Sequence, residues 1–461
     1  MITFVIRRAF PLLALAATLV LLVRQQAVPE AGSDAWLHLR LGDEFRGGWS
    51  LVHPGHLSGF DSAAWYPSQW LSQIGMSAMA DAFGLAGVIW LAGVLVLCLP
   101  VGMYVVCRRW VAPLPAAIAA VTGTFAAAPG FSARPQVVSY LLILLVTYVW
   151  LLTVRDQRPR WWLVLVAWAW VPFHGMWVVG VSVGAAAVVG IALARTCDRR
   201  RLLQLAAIPL LSAIVPVLTP LGVHAYGAVV GVSARNAQLT EWGPPDFTSP
   251  NTIAMAVMVA VVLVSALRGE ALDWPTVMLL GLGMAWGLYS VRTTIVAAII
   301  LTPLLAMALQ RLVPHVGRMG RRELAVVGAI GLVATVALGF VAAQRGDRSP
   351  VAPWVDERLD AMPAGTKVLN DWELGHWALW RHPQLALVMH GYVDVFTVDE
   401  LERNIGIATL APTWDREVAD LDVDYAMVDP DSRLGYGLTE LLGWTEVEGD
   451  DDFVLLTPPA S

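Results

Sequence analysis

Charged side chains are scarce in this sequence: Lys, Arg, Asp and Glu together make up only 14% of its 461 residues. A soluble protein carries about 25% charged residues, so much of this chain's surface must face something other than water. Long apolar runs fill residues 1–344, whereas residues 345–461 read like an ordinary soluble protein. We therefore predict a transmembrane domain over 1–344 and a separate soluble domain over 345–461.

Cysteine and lysine are scarcer still. The chain has three cysteines, and Lys367 is its single lysine among 30 basic side chains. None of the three cysteines lies in the soluble domain, and together they form neither a disulfide framework nor a zinc-binding spacing. A net charge of −6 without a basic stripe excludes nucleic acid as a partner, because such binders neutralise phosphates with clustered Lys and Arg. Neither GxxxxGK[ST] nor GxGxxG occurs to support nucleotide chemistry.

Apolar runs are what the sequence has in abundance. A helix needs about 20 apolar residues to cross the hydrocarbon layer. Eleven candidates are predicted, at residues 4–23, 84–106, 112–129, 137–154, 161–174, 176–194, 202–219, 251–267, 274–290, 293–310 and 323–343. The expected fold class is an α-helical polytopic membrane protein with about 11 transmembrane helices, followed by an extracytoplasmic α/β domain.

Arginine positions indicate the orientation. If the N-terminus is cytoplasmic, most of the arginines in short loops lie on the cytoplasmic side, as do Arg7, Arg8, Arg108 and Arg109. Positively charged loops stay inside, so we expect that orientation, and eleven crossings then place the soluble domain outside. The predicted location is the cytoplasmic (inner) membrane of a bacterium.

The longest predicted outer loop, 24–83, carries two amphipathic helices, near 34–46 and 66–82. In the first, Asp34 and His38 are i,i+4 neighbours and share a face. A carboxylate and an imidazole at a membrane surface suit proton abstraction from a hydroxyl group. The alternative interpretation is that Asp34 only caps the helix and that His38 is a surface polar residue.

Two arginines are candidates for binding phosphate. Arg134 and Gln136 belong to a short outer link that reads FSARPQ, and Arg292 lies between two apolar runs with almost no loop. Arginine recognises phosphate bidentately, and an arginine in such apolar surroundings is costly unless it is paired or solvated. The alternatives are a lipid headgroup for Arg134 and an internal carboxylate for Arg292.

Two further outer positions carry ionisable groups. His174 follows the fifth apolar run, between tryptophans, and would either line a cavity or serve as a structural histidine. Glu241 begins the run EWGPPDF, in which two prolines hold two carboxylates in a rigid turn. A functional and a structural loop are equally open interpretations of that run.

The soluble domain alternates β-type and helical runs, which predicts a small α/β domain. Strands are expected at 367–369, 386–389, 425–428 and 453–456, with helices near 373–381, 397–410, 414–421 and 434–442.

Polar and aromatic groups follow the first of these strands, in the run NDWELGHW. Ligands of α/β sheets usually bind at strand-to-helix turns, which makes Trp372, Glu373 and His376 candidates. His390-Gly391-Tyr392 ends the next strand and could lie beside them. The alternative is that the aromatic side chains dock this domain onto the membrane domain.

Taken together, these residues resemble the GT-C superfamily of membrane glycosyltransferases. The run Asp34-x-Trp-x-His-Leu-Arg is similar to the first-loop signature of an uncharacterised bacterial branch, and to the first loop of oligosaccharyltransferase catalytic subunits. The run Trp372-Glu373-Leu374-Gly375-His376-Trp377 resembles their WWDYG-type element, with Glu for Asp. The link FSARPQ lacks an acidic pair, so no metal and no other cofactor is expected. Helix number and loop spacing differ from oligosaccharyltransferases, which argues against protein glycosylation.

The resemblance implies a transferase that moves a sugar from a polyprenyl-phosphate donor to a glycan, lipid or protein acceptor of the cell envelope. Asp34 would take the proton of the acceptor hydroxyl, assisted by His38 or Glu241, with the donor phosphate near Arg134 or Arg292. The remaining expected substrate-binding residues are Gln136, His174, Trp372, Glu373 and His376. Two alternatives stay open: a non-catalytic scaffold or glycan-binding protein of the same fold, and a transporter, which requires broken helices with midplane charges.

Overall fold

The computed structural model describes residues 2–25, 33–234, 242–268, 271–313, 319–346 and 348–459. In these ranges the chain forms α1 (Ile2–Gln25), α2 (Asp34–Arg46), α3 (Trp70–Cys107), α4 (Pro113–Ala127), α5 (Gln136–Asp156), α6 (Trp162–Trp170), α7 (Trp177–Ala194), α8 (Arg199–Ile214), α9 (His224–Ala234), α10 (Pro250–Leu267), α11 (Trp274–Tyr289), α12 (Thr294–Gln310) and α13 (Arg321–Arg345). The soluble domain adds α14 (Pro353–Asp360), β1 (Lys367–Asn370), α15 (Trp372–Arg381), β2 (Ala386–Leu387), α16 (Val398–Thr409), α17 (Trp414–Leu421), β3 (Tyr425–Val428), α18 (Arg433–Tyr436), β4 (Thr445–Gly449) and β5 (Val454–Thr457).

Each of the eleven predicted apolar runs contains a helix, but the helices differ in length. Within the described ranges, seven stretches are long and apolar enough to cross a membrane: α3, α5, α7, α8 with its extension to Leu218, α10, α12 with its preceding turn, and α13. The apolar part of α1 and the helices α4, α6 and α11 are shorter. A multi-pass membrane protein follows from these helices, whereas the number of eleven crossings stays a prediction.

Helix α12 is the central helix of the membrane domain. It packs on α4, α10 and α11, and nearly all of its side chains are buried. The face of α4 that meets it is built from small residues, and a Cβ on Gly123 would collide with the Thr302 hydroxyl. Such close approach holds α12 firmly, and the turn before it carries Arg292 at a fixed place.

Helix α2 matches the first predicted helix of the outer loop, and the second predicted helix is present but begins four residues later than expected. The helix expected at 66–82 begins at Trp70 and continues into the membrane as α3. The two parts are separated only by a kink at Gly84, whose φ of 63° belongs to the left-handed region that favours glycine. Helix α3 is therefore amphipathic before the kink and apolar after it.

The soluble domain contains a mixed five-stranded sheet of order β2-β1-β3-β5-β4. Strand β1 is parallel to β2 and β3, and β5 is antiparallel to β3 and β4. Strand β2 is shorter than predicted, and β4 was not predicted because its sequence, TEVEG, lies at an exposed edge and has little apolar character. The helix expected at 434–442 is split into α18 and a π-helical turn, 437–441.

The soluble domain packs directly on α2. Trp36 of α2 lies 5.2 Å from Trp380 of α15, between ring centroids. Trp380 Nε1 also donates a hydrogen bond to Asp43 Oδ2 (3.1 Å), and the Arg40 guanidinium donates one to the Leu379 carbonyl (3.2 Å). Because α2 packs against α3 on its other side, it is held between the two domains.

Candidate functional site

Asp34 occupies the first turn of α2. Ser33 is the N-cap, since its hydroxyl accepts a hydrogen bond from the Ala35 amide (3.4 Å). The interpretation of Asp34 as a mere cap is therefore wrong. Its carboxylate instead turns toward the outer link before α5, where Arg134 Nε lies 3.2 Å from Asp34 Oδ2. Both side chains remain partly exposed, so a substrate can reach this ion pair.

His376 of α15 lies on the other side of the Asp34 carboxylate. Its Nδ1 is 3.9 Å from Asp34 Oδ1, while its Nε2 accepts a hydrogen bond from the Gly391 amide (2.6 Å). A nitrogen that accepts an amide N–H carries no proton, so the neutral ring bears its proton on Nδ1, facing Asp34. Asp34 thus has partners from both domains.

His38 is buried rather than on the surface, which corrects that alternative. Its Nδ1 is 3.2 Å from Gln73 Nε2 of α3, an amide nitrogen that can only donate. Burial, together with the positive charges of Arg134 and Arg292, holds the pKa of His38 well below its usual value. The ring is neutral at physiological pH and adds no charge to the site.

Arg292 extends the positive side of the site. It belongs to the turn Val291–Thr293 that precedes α12, and its guanidinium is 3.4 Å from Gln136 Oε1 at the start of α5. The same group lies 5.5 Å from the centroid of the Trp242 ring, a cation–π contact. Gln136 and Arg292, named from the sequence as separate candidates, are therefore in contact at the starts of two apolar helices.

The remaining candidates are His174 and the run 372–377. His174 lies between α6 and α7, and its Nδ1 accepts a hydrogen bond from the Met176 amide (3.2 Å). It is close enough to His38 to contribute to the lowered pKa of that ring. Glu373 is exposed, and the Trp372 ring packs 6.4 Å from Phe396. Of the run 372–377, His376 is the residue that the fold brings to Asp34. Substrate binding by Trp372 and Glu373 stays a prediction.

Two side chains near the site were not singled out as site residues. Gln73 is fully buried and orients His38. Tyr392 is buried with its ring 6.4 Å from that of His38, and burial raises the pKa of its hydroxyl. The sequence signal for Gln73 is its position on the apolar side of a predicted amphipathic helix. The signal for Tyr392 is its place in the strand end His390-Gly391-Tyr392.

Glu241 lies outside the described residues, so its catalytic role stays a prediction. Among the residues that the structure does describe, no three His, Cys, Asp or Glu side chains are grouped to hold a metal ion. Arg134 supplies positive charge beside Asp34, and the charges of both Arg134 and Arg292 reach His38. The expected absence of a metal or other cofactor stays a prediction.

No protein-family model matches the sequence, and no curated protein matches it either. Solved structures share its fold at low identity. The oligosaccharyltransferase of Archaeoglobus fulgidus, in the apo form, superposes with a TM-score of 0.56 at 13% identity, over 92% of this chain and 70% of that one. ArnT from Cupriavidus metallidurans, in the apo state, gives 0.52 at 15% identity, over 97% of both chains. The arabinofuranosyltransferase AftD from Mycobacteria gives 0.51 at 15%, over 98% of this chain but 42% of AftD.

All three structures are GT-C glycosyltransferases. The match runs through both domains of the present chain, because it covers more than nine-tenths of its length in each comparison. The suspected resemblance is therefore confirmed at the level of architecture: this chain has a GT-C-like fold.

Proposed function

We propose that this protein is a glycosyltransferase that moves a sugar from a polyprenyl-phosphate-linked donor to a cell-envelope acceptor at the outer face of the cytoplasmic membrane. One observation carries the proposal. A partly exposed carboxylate, Asp34, lies against the guanidinium of Arg134, and a second arginine, Arg292, lies in the turn before the central helix α12. Such a transfer needs a base for the acceptor hydroxyl and cations for the phosphate.

The chemistry assigns a task to each group. The acceptor hydroxyl oxygen forms a bond to the anomeric carbon while the bond from that carbon to the phosphate oxygen breaks. Polyprenyl phosphate leaves with the bonding electron pair, and Arg134 and Arg292 stabilise its added negative charge. The hydroxyl proton passes to the Asp34 carboxylate and from there to water. No nucleotide is required, because phosphate is a good leaving group once its charge is neutralised.

The Asp34–Arg134 ion pair must open during this reaction. A phosphate that enters the site competes with the carboxylate for the Arg134 guanidinium, which binds either group in the same planar, bidentate manner. Phosphate binding therefore frees a carboxylate oxygen at the place where the acceptor hydroxyl must lose its proton. In this way the donor would prepare the base that activates the acceptor.

The architecture supports a sugar transferase. Two of the proteins that share the fold, an oligosaccharyltransferase and an arabinofuranosyltransferase, transfer sugars according to their names. The identity of the sugar and of the acceptor does not follow from that likeness. Glu241, which lies outside the described residues, is proposed from the sequence alone as an assisting carboxylate.

Turnover by the purified full-length chain in lipid nanodiscs tests the proposal. The chain is incubated with a panel of polyprenyl-phosphate sugars and an envelope glycan extract, and released polyprenyl phosphate is measured. Asp34→Asn should abolish release while the amount of folded protein stays normal. Asp81→Asn is the matched control, because Asp81 is an exposed carboxylate of α3 paired with Arg46, and it should retain the activity of the unchanged chain.

A fully active Asp34→Asn protein would contradict the mechanism. If the unchanged chain releases no polyprenyl phosphate with any donor, the second candidate function gains support: a non-catalytic glycan-binding protein of the same fold. The observation that favours this alternative is that Asp34 is already engaged by Arg134 and His376. Glycan binding without turnover would establish it.

A further inference from the structure

We infer that the soluble domain completes the catalytic site, with His376 as the positioning residue that holds the Asp34 carboxylate during transfer. The inference deepens the proposed function and rests on it. Its starting point is that Asp34 of α2 has one partner in the membrane domain, Arg134, and one in the soluble domain, His376, on opposite oxygens. The two partners have different tasks, because Arg134 is needed by the phosphate.

The direction of the His376 ring is set by the strand end next to it. The Gly391 amide donates to Nε2 at 2.6 Å, and a Cβ on Gly391 would collide with the imidazole. Only glycine at this position lets the backbone come so close to the ring. The ring is therefore fixed through Nε2, and its Nδ1 lies 3.9 Å from Asp34 Oδ1.

The start of α15 is pinned to the same strand end. Asn370 is fully buried, and its amide donates to the Met389 carbonyl (2.7 Å) and accepts from the amides of Val388 (3.1 Å) and Met389 (3.2 Å). A Cβ on Gly375 would collide with the Met389 carbonyl oxygen, so the helix passes directly over it. His376, the next residue, is therefore also held at a fixed position.

The far end of α15 is fixed to α2 itself. Trp380 bonds to Asp43, and the carbonyl of Leu379 accepts from Arg40. Asp34 and His376 thus stand on two helices that are joined about one turn from His376 and about two turns from Asp34. These hydrogen bonds between α15 and α2 leave little freedom in the distance between the side chains of Asp34 and His376.

His376 can act as a positioning residue because phosphate replaces Asp34 as the partner of Arg134. When phosphate takes the guanidinium, Asp34 loses the partner that orients it, whereas His376 keeps its proton on Nδ1 and remains beside Oδ1. A carboxylate held this way can accept the hydroxyl proton on its other oxygen. A misplacement of about 1 Å from the reactive geometry can cost about a hundredfold in rate, so a carboxylate that loses its positioning neighbour should react more slowly.

Three variants test this role by turnover. His376→Leu should lower kcat by up to about a hundredfold and leave KM for the lipid-linked donor nearly unchanged, because the arginines that bind the phosphate are intact. His376→Asn keeps an N–H donor near the position of Nδ1 and should recover most of the lost kcat. Gly391→Ala should reproduce the kcat loss of His376→Leu, because the added methyl group displaces the ring. The control is His53→Leu, which removes an exposed histidine of the first outer loop and should change neither constant.

A double-mutant cycle in thermal midpoint tests the contact without relying on turnover. If Asp34 and His376 interact, the midpoint shifts of Asp34→Asn and His376→Leu will not add in the double variant. Additive shifts would overturn the inference even if the enzyme is active, as would an unchanged kcat for His376→Leu. A chain without any transferase activity would instead remove the proposed function, and this role with it, whatever the cycle shows.

Discussion

Arg134 Nε lies 3.2 Å from Asp34 Oδ2, although α3 and α4 separate the two residues along the chain. The pair joins the start of an outer-loop helix to the link that precedes α5. Both residues were named from the sequence as candidates for separate tasks, one for the acceptor and one for the phosphate. Their contact makes the two tasks interdependent, and the first prediction follows from this.

Two replacements of Arg134 should distinguish the effect of its positive charge from the effect of its planar, bidentate geometry. Arg134→Gln is expected to lower kcat/KM for a polyprenyl-phosphate donor by about a hundredfold or more, as loss of a preorganised charge-stabilising donor does. Arg134→Lys keeps the charge but loses the bidentate geometry, so its loss should be smaller but clear. Initial rates at several donor concentrations provide the measurement. Equal activity of all three proteins would show that Arg134 does not meet the phosphate.

Close packing of α2 on α3 depends on Gly42. A Cβ there would collide with the Gln73 carbonyl oxygen and the Ser77 side chain. Gly→Ala inside a helix normally stabilises by about 1 kcal/mol, but here overpacking should reverse the sign and destabilise by about 1–3 kcal/mol. Gly59→Ala is the control, since nothing lies within 4 Å of its added methyl group. A thermal midpoint of Gly42→Ala at or above that of the unchanged chain would contradict the predicted close contact.

The indole of Trp380 should contribute to domain docking through its N–H group. Trp380→Phe keeps a ring against Trp36 but removes the hydrogen bond to Asp43, which costs about 1 kcal/mol at this partly exposed place. Limited proteolysis should then cut the link between α13 and α14 faster. Trp354→Phe is a matched control, because Trp354 Nε1 also donates to an aspartate, Asp450, but within the soluble domain. Equal cleavage rates for the two variants would count against a docking role for Trp380.

Acid should destabilise the soluble domain through His390. This ring is fully buried, and burial with the nearby His376 lowers its pKa to about 3, although the Asp61 carboxylate lies 3.9 Å from its Nε2. Because the unfolded ring has a pKa of about 6.5, the unfolded chain binds more protons between these values. Stability is thus complete above about pH 6.5 and falls as the pH drops toward 3, by at most about 5 kcal/mol for this ring.

Thermal midpoints measured from pH 7 to pH 4 check this dependence. His390→Leu should show a shallower decline than the unchanged chain, even though its midpoint at pH 7 is lower. His53→Leu, which removes an exposed histidine, should decline as steeply as the unchanged chain. A slope that does not respond to His390→Leu would assign the acid sensitivity to other buried groups, such as His38.

Local patterns were enough to predict many of the elements. The helix that begins with Asp34 follows from a polar N-cap and an amphipathic run, and the parallel strands of the soluble domain follow from short β-type runs between helical ones. Apolar runs located the membrane helices for the same reason, since composition alone decides whether a helix tolerates lipid. Patterns failed where composition is ambiguous, as at β4, whose polar edge sequence has no strand signature.

The partners of each polar residue depended on packing between distant segments. Asp34 and His38 were predicted to act together because they are one helical turn apart, yet His38 turns into the protein toward Gln73 while Asp34 meets Arg134 and His376. Residues 342 positions apart, Asp34 and His376, come together because two glycines, Gly375 and Gly391, let backbone and ring approach closely. Residue types and helical periodicity thus indicated which polar groups are candidates and which elements carry them. The contacts among those groups required the folded chain, because side-chain direction is set by neighbours that periodicity does not encode.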